Sequence, residues 1–451
     1  MAPSDEIDEK KSDGAELLEP AAHLGDSEPV RITGWASGGE GVGRLSDGRV
    51  IFIEGAVPGD LVAPSEIAIR KKMAWGKVGR LVEASADRVD PSCAHFETCG
   101  GCTWQHVRYP AQLEAKRENV RNALSRIGGI DFDAEIEIIG SPNPYGYRAR
   151  ARLAEAEGGV GYRMRGSRRT LAIEECPILV PTLQEGLSTL AKQVASEESP
   201  ASVPAPEATA KRRPRTKEWV LTAGSSGAAL VQSVKPGRNK TGGRRGRRPR
   251  PNHGDTVEHV LLEVLGEKLR ASGTSFIQGN ALLWDDFAKV VTRAVLSDSS
   301  PERFVELYAG IGFFTLPLVR AGLSGVVIES DASATADLAW NLEEAKLQDR
   351  VQVVTARVEK RGDLAQQFSR GDVLLVDPPR TGLDRAVCDA IVESGPARLV
   401  YVSCDSGTWA RDLGRLAKSA YRLAGVEAFD LFPQTPHVEI VSRLERIAPN
   451  K

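Results

Sequence analysis

Arg303-Phe304-Val305-Glu306-Leu307-Tyr308-Ala309-Gly310-Ile311-Gly312 decides the architecture of the C-terminal part of this chain. Its first six residues have the apolar, branched and aromatic content of a buried strand, and the Gly-Ile-Gly after them reads as a tight turn. Phe313 to Arg320 has helical character, and Val326-Val327-Ile328-Glu329 reads as a second strand that ends in an acid 19 positions after Gly310. Such a glycine turn lets a nucleoside approach the backbone, and the acid at the tip of the next strand can hold two ribose hydroxyls. Thr315 stands where the dinucleotide fingerprint has its third glycine. A ligand without a pyrophosphate is therefore favoured, and S-adenosylmethionine is the obvious candidate.

Outward from that turn, Asp372-Val373-Leu374-Leu375-Val376-Asp377 and Arg398-Leu399-Val400-Tyr401-Val402-Ser403-Cys404 supply further buried strands. With helices between them they make an α/β, doubly wound, Rossmann-like sheet whose strand ends carry the site. Asp377-Pro378-Pro379-Arg380 follows one strand and Cys404 ends the next, so both are expected at the same carboxyl edge. Phe432-Pro433-Gln434-Thr435-Pro436-His437-Val438-Glu439 leads into a last strand, with Glu439 available as a base. A thiolate and a carboxylate are what methylation at a pyrimidine C5 requires: the thiolate adds at C6, C5 attacks the sulfonium methyl, and a base removes the C5 proton. Cys404 is then the nucleophile and Glu439 the proton acceptor. Taken singly each has a plainer reading, a small buried hydrophobe or an exposed edge position, and Cys388 is read as the former.

Four other cysteines have a different pattern. Cys93, Cys99 and Cys102 crowd one loop with Gly100-Gly101 between the last two, and Cys176-Pro177 follows about seventy residues later. Four thiolates without histidine fit structural zinc or an iron–sulfur cluster, and three ligands together with one arriving alone tilt the choice toward [4Fe-4S]. Further upstream, short branched runs at Val30 to Trp35, Gly41 to Leu45, Arg49 to Ile53 and Asp60 to Ala63 alternate with Gly, Ser, Asp and Pro-Gly turns. That spacing suggests a small OB-like β-barrel, and Arg70-Lys71-Lys72-Met73-Ala74-Trp75 sets cations beside an aromatic ring, as contact with a nucleic-acid strand requires.

Composition bounds the rest. The chain has 451 residues, 41% hydrophobic and 27% charged, with a formal net charge of -2, which is the profile of a globular protein of two or three domains. No apolar run is long enough to span a membrane, and Met1-Ala2-Pro3-Ser4-Asp5-Glu6 lacks the basic and apolar regions of a signal peptide, so a cytoplasmic location is expected. Lys211 to Arg215 and Arg244 to Arg250 are basic blocks set among Gly, Pro, Ser and Thr, read as a flexible insertion over about 200–253 that attracts phosphate without sequence preference or serves as a solvated linker. The expected organisation is a disordered tail over 1–27, the barrel over 28–85, a central α+β domain over 86–270 bearing the cysteines and that insertion, and the catalytic domain over 271–451.

Taken jointly, these motifs and Ser275-Phe276-Ile277-Gln278-Gly279-Asn280 make the chain resemble the RNA 5-methyluridine methyltransferases that act on tRNA or 23S rRNA, in particular those with a TRAM domain and an iron–sulfur cluster. The resemblance runs from about residue 28 to the C-terminus. It implies that Gln278, Tyr308, Glu329 and Asp377 contact S-adenosylmethionine, with Gly310 of the glycine turn read above as a further cofactor contact, that Cys404 adds to C6 and that Glu439 takes the C5 proton. It further implies a [4Fe-4S] cluster on Cys93, Cys99, Cys102 and Cys176 with a structural and RNA-binding task, an RNA partner, and a monomer free of the membrane. The chain departs from the family at Asp405-Ser406, where Asn-Pro is common, and at Phe313, often polar in relatives. A carboxylate at 405 is expected to raise the pKa of the adjacent thiol. Two rival functions share these features: an RNA-binding protein of the same fold without catalysis, and an RNA cytosine-5 methyltransferase.

Overall fold

The computed structural model describes residues 28–197, 217–225, 227, 229–234, 258–273, 275–297 and 301–447. The expected N-terminal tail and both basic blocks lie outside the described residues. The chain divides into two units, residues 1–88 and 89–451.

In the first unit, β1 (Val30–Trp35), β2 (Gly41–Arg44), β3 (Val50–Glu54), β4 (Leu61–Arg70) and β5 (Met73–Glu83) close into a barrel in the order β1-β2-β3-β5-β4. Alternation puts Val30, Ile32, Ile51, Ile53 and Val62 inside. A side chain at Gly41 or Gly43 would collide with the backbone of Ala56 or Arg31, which is why glycine stands at both places in β2.

The second unit begins with α1 (Tyr109–Ala123) and β6 (Glu137–Ile139). Next come β7 (Arg150–Ala156), β8 (Gly159–Arg163), β9 (Thr170–Ala172) and α2 (Pro181–Glu197), then β10 (Glu218–Ala223) and β11 (Ala229–Val234). These last strands complete a sheet in the order β11-β10-β7-β8-β9. The expectation of one unstructured insertion over 200–253 is thus corrected: a hairpin, Glu218–Ala223 paired with Ala229–Val234, occupies its middle. The apolar run Trp219-Val220-Leu221, buried against α2 and β7, is masked in the sequence by the basic composition on either side.

A hairpin of β12 (His259–Val264) and β13 (Glu267–Ser272) leads into α3 (Trp284–Leu296), β14 (Arg303–Leu307), α4 (Thr315–Arg320), β15 (Ser324–Glu329), α5 (Ala332–Glu344) and β16 (Val351–Thr355). The chain ends with β17 (Val373–Val376), α6 (Arg385–Ser394), β18 (Arg398–Ser403), α7 (Ser406–Ser419), β19 (Tyr421–Phe429) and β20 (Glu439–Arg446). The sheet order is β16-β15-β14-β17-β18-β20-β19-β6, parallel through β18, with β20 antiparallel to β18 and β19 antiparallel to β20. Its central strands are buried on both faces, Val373 and Leu375 in one core and Leu374 and Val376 in the other. The direction of winding reverses between β14 and β17, and a ligand crevice is expected there. The expected boundary near residue 270 does not separate the molecule. β6, from the central segment, pairs with β19 and joins the C-terminal sheet, so 89–451 is one body.

Candidate active site

β14 ends in a backbone that folds back on itself. Tyr308 has φ +66°, Gly310 +56° and Gly312 +88°, a left-handed path that costs a non-glycine residue such as Tyr308 energy. Gly310 N donates to Glu329 Oε2 at 3.0 Å, and Asp331 N donates to Glu329 Oε1 at 2.7 Å, so the acid at the tip of β15 is clamped across the turn. Tyr308 is held in turn by its hydroxyl, which donates to Glu359 Oε1 at 3.1 Å. At the end of β17, Asp377 Oδ2 accepts from Gln278 Nε2 at 3.3 Å. Gln278 is fixed by Trp284 Nε1, which donates to its carbonyl at 3.0 Å. The five residues expected at a nucleoside cofactor, Gln278, Tyr308, Gly310, Glu329 and Asp377, therefore gather at the adjacent carboxyl ends of β14, β15 and β17, where the winding reverses.

Cys404 is the first residue past β18 and Glu439 the first of β20, and the register that pairs Ser403 with Ile440 brings the two together. Burial pushes the Cys404 thiol up to about 12, with the charges of Glu439 and Asp377 adding to the rise and Arg380 opposing it. Glu439 is buried in the sheet interior, and that burial, reinforced by Asp377 and opposed by Arg380, raises its carboxyl well above the usual range. Burial likewise raises Asp377, with Glu329 contributing. His437 goes the other way: burial first, then the cations Arg380 and Lys116, pull it down to about 4, so it is neutral near pH 7.

Asp405 does not act as expected from its place beside the thiol. Its carboxylate caps α7, accepting from Thr408 N at 2.8 Å and Thr408 Oγ1 at 2.9 Å. The carboxylates that raise the thiol are Glu439 and Asp377. Phe313 packs edge-on against Phe314 with ring centroids 5.1 Å apart and belongs to the core.

Arg380 stands in one of the sequence motifs with no task assigned to it there. It is the cation common to Cys404, Glu439 and His437, and its position directly after Asp-Pro-Pro is the signal that could have found it. Sequence reasoning misses Asp412 altogether. It accepts from Tyr401 Oη at 3.0 Å and Leu383 N at 2.7 Å, tying the loop that carries Asp377 and Arg380 to α7.

Cys93, Cys99, Cys102 and Cys176 line a single cavity of about 310 Å³, and Arg380, Phe432, Thr435 and His437 form another part of its wall. Gly100 lets that loop lie against β8: its N donates to Arg163 O at 2.9 Å, and a Cβ there would meet the same oxygen at 2.9 Å. Burial, and then the negative charge of the other cysteines, push Cys176 up to about 12. Among the described residues no three His, Cys, Asp or Glu side chains form a group poised to hold a metal ion. The donor set nevertheless suits a thiolate-ligated centre: four thiols that feel one another's charge share the cavity with the half-buried Tyr162, which lies against Cys176, and with the guanidinium of Arg148.

In the barrel unit, Trp75 stacks on Phe52 at 5.6 Å and 24° while remaining 37% exposed beside the exposed Arg70, Lys71 and Lys72. Among the described residues no helix is long and apolar enough to cross a membrane.

Strand order, switch-point crevice and paired thiol and carboxylate define a methyltransferase of the doubly wound class. Residues 253–447 match the family described as tRNA (Uracil-5-)-methyltransferase and residues 22–63 match the TRAM domain. An uncharacterized RNA methyltransferase of Gloeobacter violaceus is 34% identical, over 95% of this chain and 99% of its own. A 23S rRNA (uracil(1939)-C(5))-methyltransferase of Halomonas elongata is 32% identical over 92% and 88%. The crystal structure of the Pyrococcus abyssi tRNA (uracil-54, C5)-methyltransferase in complex with S-adenosyl-L-homocysteine superimposes with a TM-score of 0.68, covering 92% of this chain and 100% of that one at 24% identity. The chain belongs to the tRNA (uracil-5-)-methyltransferase family with a TRAM domain, and is an S-adenosylmethionine-dependent RNA uracil methyltransferase.

Proposed function

We propose that this enzyme methylates C5 of a uridine in 23S rRNA through a covalent adduct between Cys404 and C6 of the base. The convergence of Cys404, Glu439, Asp377 and Arg380 at one edge of the sheet carries this reading. The relatives named for 23S rRNA, 31% and 32% identical over nearly the whole chain, favour that RNA over tRNA. Gln278, Tyr308, Gly310, Glu329 and Asp377 hold S-adenosylmethionine, which supplies a methyl group on a positively charged sulfur. The Cys404 thiolate bonds to C6, and the displaced π electrons make the ring an enolate whose C5 attacks that methyl group; the bond from methyl to sulfur breaks, its electron pair stays on sulfur, and neutral S-adenosylhomocysteine leaves. Glu439 then takes the C5 proton and the C6–S bond breaks, restoring the ring and the thiolate. A carboxylate with a raised pKa is a stronger proton acceptor, which suits Glu439 to this step. Arg380 favours the anionic forms of both groups at the moment each is needed.

Cys93, Cys99, Cys102 and Cys176 hold a [4Fe-4S] cluster in this reading. Cys93, Cys99 and Cys102 on one loop and Cys176 before α2 would, through such a cluster, tie those two segments together. Cys99→Ser is expected to abolish the broad visible absorbance and the iron content of anaerobically purified protein, measured by absorbance and metal analysis; one zinc per chain in a colourless wild type would refute the cluster. The reaction is tested by transferring labelled methyl to separated, unmodified 23S rRNA and tRNA and identifying the digested nucleoside by mass spectrometry. Labelled 5-methyluridine from 23S rRNA is expected; labelled 5-methylcytidine, or RNA bound without transfer, would overturn the proposal.

A further inference from the structure

The sheet that holds the cysteine loop carries charge that methyl transfer does not use. Alternation from Arg148 on into β7 buries Ala149, Ala151 and Leu153 in the core and puts Arg148, Arg150 and Arg152 on the other face. The register pairing Ala154 with Gly161, continued two residues, sets Arg163 of β8 across from Arg152. Both reach one carboxylate, Glu218, at 2.5 and 3.4 Å. Arg150, partly buried, also feels Arg152 and Arg148 as like charges. Side chains of like charge on neighbouring strand positions destabilise a sheet, so this face is improved by an added anion. The side chains of Arg152 and Arg163 are 63% and 45% exposed, and ion pairs at such sites are weak enough to exchange partners.

Position gives the face a direction. Arg148 and Arg152 line the same cavity as Arg380 and His437, and Arg380 acts on Cys404. The arginines therefore run from the exposed Arg152 and Arg163 past the rim of the cysteine-lined cavity toward Arg380, the cation that acts on Cys404. Alternate residues of a strand are about 6.7 Å apart, comparable with successive phosphates of an extended nucleic-acid strand.

We propose that the outer face of β7 and β8, through Arg150, Arg152 and Arg163, is the track that holds the phosphodiester backbone of a single-stranded stretch of the substrate RNA as its target nucleotide enters beside Cys404. The inference rests on the RNA methylation proposed above.

The test uses the full chain and a short fluorescently labelled oligouridylate, with binding followed by anisotropy over a series of KCl concentrations. Arg152→Gln/Arg163→Gln is expected to weaken binding and to reduce the slope of log K against log salt by about 1.4, roughly 0.7 for each phosphate of a single strand that is no longer neutralised. Glu218→Gln is expected to tighten binding, because it releases two guanidiniums for phosphate. A purely structural role for these side chains predicts no tightening, so this arm does not depend on how well the double variant folds. Wild-type affinity and slope in both variants would overturn the track. If methyl transfer to RNA succeeds while the slopes do not move, this inference alone falls; if wild-type protein neither binds the oligonucleotide nor methylates RNA, the functional proposal falls with it.

Discussion

Cys404 is a poor nucleophile in the resting site, because burial and two nearby carboxylates hold its proton to about pH 12. Arg380 opposes them, so the rate should report its charge. Cys404→Ala is expected to abolish methyl transfer while leaving S-adenosylmethionine binding intact, checked by turnover and by calorimetric titration of the cofactor. For the wild type, kcat/KM is expected to rise with pH between about pH 6.5 and 9, since the reactive thiolate is the minority form throughout that range. Arg380→Met removes the favourable cation, so the rising limb should move to higher pH, and kcat/KM near pH 7 should fall by about tenfold for every pH unit that the limb moves. A pH–rate series on both proteins measures it. His437, neutral near pH 7, is not expected to contribute a limb in this range.

Between strand and helix, the turn from β14 to α4 is organised around a buried acid. Glu306 Oε2 accepts from Thr315 Oγ1 at 2.6 Å, and burial, with Asp377 and Glu329 adding to it, pushes the carboxyl from its ordinary 4.5 up to about 8. The folded protein therefore keeps a proton that the unfolded chain releases above pH 4.5. Stability from this group is complete below that pH and is lost as pH rises toward 8. Glu306→Gln mimics the protonated acid, so its melting temperature should fall less between about pH 5 and about pH 8 than that of the wild type, in calorimetric scans across that range. Asp377 and Glu439 are raised in the same direction and leave a residual slope in the variant. The neighbouring element shows how the loop that carries Arg380 is held: Gly382, at φ +72°, packs so closely on Asp412 that a Cβ would sit 2.4 Å from Oδ2.

Across the second unit, the segment that presents Glu439 is clamped by residues roughly 300 positions earlier. Gln112 Nε2 donates to Gln434 Oε1 and Gln434 N donates back to Gln112 Oε1, both at 2.9 Å, while Tyr147 Oη donates to Pro433 O at 2.9 Å. Lys116 of α1 forms a fully buried ion pair with Asp430 and donates to Phe432 O at 3.1 Å. Burial lowers the lysine's pKa and Asp430 opposes that, so the pair survives by mutual support. Lys116→Met should destabilise the unit by about 3–5 kcal/mol, because it leaves a buried charge without its partner. Adding Asp430→Asn should recover much of that loss. Urea denaturation of the single and double variants measures both.

The strands that carry the site, and the residues at their tips, are legible in the sequence. Val373 to Val376 and Leu399 to Val402 are continuous apolar runs buried on both faces, and glycine marks the left-handed turn after Tyr308. The cysteine spacing is equally local, and the four thiols do share a cavity. What the sequence does not show depends on pairings between distant residues. Averaged composition hides the hairpin at Glu218–Ala223 and Ala229–Val234, whose burial comes from α2 and β7. The three residues of β6 acquire their meaning only by adding to β19. Asp405 misleads because nearness along the chain is not nearness of charge: the helix start turns its carboxylate to Thr408. The sequence by itself thus determined the class of fold and the chemical groups, since periodicity and turn residues act over a few positions. Only the tertiary structure decided which charges those groups meet, because Asp377 and Arg380 reach Cys404 from the end of β17 and Glu439 from the start of β20, and a pKa follows distance in space and burial.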